Sequence, residues 1–197
     1  LHSFPTRRSS DLHAMKIFLL FTMILISSFT VNAQFVLTPQ GIENETGKDY
    51  IVFDYEGKTQ QELFTVVNVA LHSMYVSPKD VLSIVENNSI TINGVDADIW
   101  RDRNMLSTVP KMTLNYTIVL EFKDSKIRVL NPYINSLIIP VSGSGTAVYN
   151  KGEALGYLYG KKGNAKHPKT NASIENCLNS IINKISNSIT DAEKTDW

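Results

Sequence analysis

Charge of one sign, cysteine and long apolar runs are what this sequence has little of. Its 19 Lys and Arg balance 19 Asp and Glu, so the basic excess with which nucleic-acid binders neutralise phosphates is missing and nucleic acid is not an expected partner. The single cysteine, Cys177, excludes an internal disulfide framework. In an exported chain it reads as a small buried hydrophobe rather than a redox centre. No Gly-x-Ser-x-Gly elbow occurs. Gly160-Lys161-Lys162 is not a phosphate loop, because the Ser or Thr after the Lys and the upstream Gly at the required spacing are both missing. At 197 residues, 43% hydrophobic and 19% charged, the chain has the composition of one ordinary soluble domain.

Residues 1–12, LHSFPTRRSSDL, resemble the in-frame translation of a sequencing adaptor, and residues 1–14 are set apart from the fold as upstream sequence. From Met15 the chain reads MKIFLLFTMILISSFTVNAQ: Lys16 as a basic start, an apolar run from Ile17 to Ile26, and the small-residue exit Val31-Asn32-Ala33. This is the pattern of a secretory signal peptide over residues 15–33, cleaved after Ala33. The apolar run is shorter than the roughly 20 residues of a membrane-spanning helix, and no basic stop-transfer cluster follows it. No Cys stands at the cleavage site, so a lipid anchor lacks its acceptor. The expectation is one exported α+β domain over 34–197, periplasmic or secreted, with no membrane span and no lipid anchor. Losing Arg7, Arg8, Lys16 and Asp11 leaves it slightly acidic. A chain of that length buries roughly 68–70% of its unfolded surface, enough for a core without staples.

After a polar stretch with Pro39, Gly41 and Gly47, Tyr50 to Tyr55 has the β-branched and aromatic content of a strand, stopped by Glu56-Gly57. Thr59-Gln60-Gln61-Glu62 is a capping box, in which hydroxyl and carboxylate each satisfy an orphan amide of the helix start. Leu63, Val67, Ala70, Leu71 and Met74 follow on one helical face, and the helix must end before Ser77-Pro78. Val81–Val85, Ser89–Asn93 and the alternating Val95, Ala97 and Ile99 read as strands, with Gly94 as a bulge or turn between the last two. The clearest strand is Lys111–Lys123, where Met112, Leu114, Tyr116, Ile118, Leu120 and Phe122 share one face and polar residues populate the other. Such one-sided burial indicates an antiparallel sheet. Asp124-Ser125 turns the chain into a return strand, Lys126–Leu130. From about 140 to 170 the pattern breaks down, and the segment reads as a mobile excursion. A final helix from near Asn171 carries Ile174, Cys177, Leu178, Ile181, Ile182, Ile185 and Ile189 on its core side. Strand, helix, antiparallel strands and helix make an α+β fold with both helices on one face of a sheet.

Few residues invite chemistry. Past the signal peptide the histidines are His72, read as a half-buried helix residue beside the core stripe, and His167, read as a solvated residue of the lysine-rich excursion. Neither makes a nucleophile pair with Cys177 in the absence of an orienting third group. Asp96, Asp98 and Asp102 suggest calcium, but no Gly or closing Glu completes an EF-hand loop. Beside Arg101 and Arg103 they read as a solvated strand face with ion pairs. No catalytic, cofactor-binding or metal-binding residues are assigned. The segment from Tyr149 to Lys169 interleaves Tyr149, Tyr157 and Tyr159 with Lys151, Lys161, Lys162, Lys166 and Lys169. Tyr149, Tyr157, Tyr159, Lys161, Lys162, Lys166 and Lys169 are the candidate surface for a partner or an anion.

The stretches Tyr50–Leu63 (YIVFDYEGKTQQEL), Ile84–Gly94 (IVENNSITING), Leu114–Val129 (LNYTIVLEFKDSKIRV) and the amphipathic C-terminal helix ending in Asp196-Trp197 resemble an exported Gram-negative bacterial family known as domain of unknown function 4468 and described as TBP-like. The resemblance implies a curved antiparallel sheet with helices on one face, exported through the Sec route. It implies no catalytic signature, and a TBP-like shape does not confer DNA binding. Asp124-Ser125 stands where Asp-Gly is expected. Two functions fit. The first is a non-enzymatic periplasmic or secreted module that binds an envelope protein, peptide or glycan through the open sheet face or the Tyr/Lys segment. The second is a small-ligand carrier or envelope enzyme using a cavity between helices and sheet, for which a ligand-shaped pocket is required.

Overall fold

A computed structural model describes residues 35–102, 111–141 and 145–194. The adaptor-like stretch, the signal peptide with its cleavage site, Arg103, Ser142 to Ser144 and Asp196-Trp197 lie outside the described residues. The described chain runs β1 (Phe35–Thr38), β2 (Gly41–Asn44), β3 (Tyr50–Asp54), α1 (Gln60–Met74), α2 (Pro78–Val81), β4 (Leu82–Val85), β5 (Ser89–Trp100), β6 (Lys111–Lys123), β7 (Lys126–Leu130), β8 (Tyr133–Val141), β9 (Gly145–Asn150), α3 (Lys151–Leu158) and α4 (Pro168–Lys194).

All pairings are antiparallel, and β6 is the central strand. One of its edges carries β5, which β4 extends. The other is shared by β8 along the first half of β6 and β7 along the second, from Leu120 onward. β7 then pairs with β3, and β8 with β9. The result is a strongly curled antiparallel sheet with helices packed on it, an α+β fold. The six core residues expected on β6 are all buried, and its alternate residues make the other face. Packing one apolar stripe of each helix against them closes the core: Leu63, Phe64, Val67 and Leu71 from α1, and Ile174, Leu178, Ile182 and Ile185 from α4. The Phe64 and Phe122 rings meet edge to face at 5.5 Å. Buried side chains of both helices and of the sheet together form this layer.

Three expectations need correction. Gly94 is neither bulge nor turn. β5 passes through it in register with Tyr116, and a Cβ at Gly94 would lie 2.1 Å from Tyr116 Cζ. The bulge of β5 comes later, between Asp96 and Ile99. The polar stretch after the signal peptide holds a hairpin, β1 and β2, which sends Phe35, Leu37 and Ile42 into the core. Its open edge is satisfied by α4: Asn179 accepts from Phe35 N–H at 2.8 Å and donates to Phe35 C=O at 2.9 Å, while Glu175 accepts from Leu37 N–H at 2.8 Å. Finally, residues 140–170 are not an irregular excursion. Regular structure occupies much of them, with the end of β8, then β9, α3 and the start of α4. Short strands of small residues and a glycine-bearing helix hide this from periodicity.

Candidate functional site

α3 begins where Asn150 N–H donates to the Glu153 carboxylate at 3.1 Å, one half of a capping box. Its apolar residues Ala154 and Leu158 are buried against the sheet. Past Leu158 the chain makes a tight ring: Tyr159 bridges Ala165, Gly160 N–H reaches Asn164 C=O at 2.8 Å, Gly163 N–H reaches Gly160 C=O at 2.9 Å, and Lys166 N–H reaches Leu158 C=O at 2.9 Å. Gly163, at φ +78°, supplies the left-handed turn that closes the ring. Lys161 and Lys162 are exposed at its tip.

This ring, one face of α3 and the turn between β1 and β2 enclose an open cleft of about 790 Å³. Tyr159, Lys161, Lys162 and Lys166 line it with Gln40 and Leu155, and no carboxylate is among its lining residues. Tyr159 holds the floor: its hydroxyl donates to Leu37 C=O, and its burial raises the phenol pKa against a hydrogen bond from Asn171. Lys166 Nζ donates to Gly156 C=O at 2.5 Å. A second hollow of about 400 Å³ adjoins the first, sharing Gly156 and Lys166, and is lined by Val148, Tyr149, Glu153 and Tyr157.

Of the seven candidate residues, four therefore surround one cleft, and Tyr149 and Tyr157 stand next door. Their rings lie 4.9 Å apart, and Tyr157 stacks on His167 at 4.5 Å. His167 is thus half-buried rather than solvated. Burial lowers its pKa, opposed by the nearby Asp102 carboxylate. Burial raises the Tyr157 pKa, opposed by Arg101. Lys169 is not part of the cleft lining; its backbone N–H donates to Asp102 Oδ2 at 2.9 Å. Pro39 and Gln40 were not expected in the site. The alternation of Phe35 and Leu37, broken by Pro39 and Gly41, was the signal for the turn that carries them.

The remaining candidates go to separate partners. His72 is exposed, not half-buried, with Nδ1 2.8 Å from Asn68 C=O. Cys177 is partly buried against the core; its thiol donates to Asp96 Oδ2 at 3.2 Å, and burial together with that carboxylate pushes its pKa up to about 12. Asp98 pairs with Lys111, and Asp102 caps α4. The three aspartates thus do different work, and among the described residues no group of three or more His, Cys, Asp or Glu is placed to hold a metal.

No protein-family model matches the chain, and no curated protein does. Two solved structures are similar to it. One is a TBP-like protein from Parabacteroides distasonis ATCC 8503, at 14% identity and a TM-score of 0.48, covering 70% of this chain and 91% of that one. The other is a DUF4468 family protein from Bacteroides ovatus ATCC 8483, at 10% identity and a TM-score of 0.49, covering 71% of this chain and 83% of that one. Among the described residues, no helix is long and apolar enough to cross a membrane.

Proposed function

We propose that this chain is an exported, non-enzymatic binding module that takes an acidic peptide segment of an envelope protein into the cleft beneath the 159–166 ring. The observation that carries this reading is the concentration of Lys161, Lys162 and Lys166 around one cleft with no carboxylate in its lining. Three cations on low-dielectric walls attract negative charge and speed its arrival, an effect that salt screens. The glycine-rich walls at Gly152, Gly156, Gly160 and Gly163 let a ligand's main chain approach closely.

Fluorescence anisotropy with a labelled oligoglutamate, and an oligolysine of equal length as control, tests the site. The acidic probe binds, more weakly as salt rises, and Lys161→Glu with Lys162→Glu abolishes binding without lowering the melting temperature. Equal affinity for both probes, or no effect of the double reversal, refutes the site. A soluble anionic glycan that outcompetes oligoglutamate changes the partner class. Export rests on the pattern of residues 15–33. Expression in a Gram-negative host is expected to yield an envelope protein whose first residue is Gln34, and a retained leader in the cytoplasmic fraction refutes it.

A further inference from the structure

The sheet offers three terminal strands among the described residues, and they are not equally open. β3 is partly covered: Asn44 Nδ2 donates to Tyr50 C=O at 3.3 Å. β4 is only four residues long. β9 is longer and pairs with β8 alone. Natural sheets protect an edge with lysines, prolines or inward charges, but Gly145-Thr146-Ala147-Val148-Tyr149-Asn150 contains none of these. Thr146, Val148 and Asn150 are exposed.

This unguarded strand also borders the charged site. Val148 and Tyr149 line the 400 Å³ hollow whose far wall is Gly156, Tyr157 and Lys166, and Gly156 and Lys166 are shared with the lysine cleft. The one carboxylate of that hollow, Glu153, is occupied by Asn150 N–H. The geometry points to strand addition: an extended acidic peptide pairs its backbone with the free edge of β9 and places alternate side chains toward Lys166 and the lysines of the ring. Main-chain hydrogen bonds supply affinity in this mode, and the side chains on one face supply selection. The complementarity of charge selects an acidic strand over a second copy of this chain, whose own β9 carries no charge. The inference rests on the acidic-peptide reading and specifies how that peptide is held.

Two labelled probes separate the two ideas: a short peptide of alternating Glu and Val, and the same peptide N-methylated at alternate residues. Methylation leaves charge and side chains intact and removes the N–H donors of one edge. The parent peptide is expected to bind, with the methylated one weaker by about tenfold or more, since each methyl group removes a main-chain hydrogen bond. Amide exchange across Gly145–Asn150 should slow when the parent peptide is added. Equal binding of both probes with unchanged exchange in β9 overturns strand addition and leaves the acidic-peptide reading standing. Failure of both probes to bind overturns both.

Discussion

At the scale of single residues, environment decides what the two most reactive side chain types can do. Cys177 donates its thiol to a carboxylate and is partly buried, and both effects disfavour the thiolate, the form that reacts. At pH 8 a thiol reagent should therefore label the native chain far more slowly than the urea-unfolded chain; equal rates refute this placement. His167 titrates in the opposite sense. Stacked on Tyr157, it has a lowered pKa because burial outweighs the attraction of Asp102. A base with a depressed folded pKa lets the unfolded chain take the proton first. Its stabilising contribution is then present above the ordinary histidine value near ~6.5 and is lost as pH falls through the lower folded value. Urea midpoints followed from pH 7.5 to pH 5 should fall less steeply in His167→Gln than in the parent, and parallel curves would contradict the burial of this ring. The sequence placed His167 in a lysine-rich run and read it as solvated, because nothing local announces that Tyr157 comes to lie against it.

At the scale of elements, what was legible in the sequence is what local chemistry dictates. The capping box is present: Glu62 N–H donates to Thr59 Oγ1 at 3.3 Å, and Thr59 N–H donates to the Glu62 carboxylate at 2.8 Å. Hydrogen bonds donated to the Glu62 carboxylate by the Thr59 N–H and by its hydroxyl hold the Glu62 pKa below its usual value. Thr59→Ala should lower stability by ~1 kcal/mol in urea melts and leave peptide binding unchanged; an unaltered midpoint would refute the cap. The β6 alternation and the turn at Asp124-Ser125 are equally local, and Ser125 adopts the φ of +60° that an Asp-Gly turn would take at no cost. Gly94 is a different matter. Its meaning depends on Tyr116 across the ladder, which no window along the chain contains. Gly94→Ala puts a methyl group into the ring of a residue only 2% exposed, an overpacking that should cost ~3 kcal/mol. In a Tyr116→Leu background the added cost should shrink to ~1 kcal/mol or less, because the clashing ring atoms are gone. Equal costs in both backgrounds would mean that the ring is not the obstacle.

At the scale of the whole molecule, the α+β class and the burial of one sheet face follow from patterns that repeat along the chain. The assembly of the site does not, because it depends on where separate segments meet. The lysine cleft needs the turn at Pro39-Gln40 to reach the ring after α3, and the β1 and β2 hairpin is held there by side chains of α4 far along the sequence. What fixes the start of α4 is likewise remote. A 27-residue helix leaves amides unsatisfied at its first turn, with the positive end of its dipole exposed. Asp102, two residues past β5, supplies the missing cap: its Oδ2 accepts from Lys169 N–H at 2.9 Å and Thr170 N–H at 3.3 Å, while its own N–H donates to Thr170 Oγ1 at 3.0 Å. Ser173 adds a further link by accepting from Trp100 N–H at 2.9 Å. The sequence grouped Asp102 with Asp96 and Asp98 by proximity, whereas the fold gives it to a helix 67 residues downstream. Asp102→Ala removes both charge and acceptor and should cost about 1–2 kcal/mol. Asp102→Asn keeps an acceptor oxygen without the charge and should cost about half of that. Because His167 and the ring immediately precede this helix, the alanine variant should also weaken oligoglutamate binding and speed amide exchange in residues 159–170. A stability loss without faster exchange there would place the effect elsewhere in the sheet and break the proposed link between the cap and the cleft.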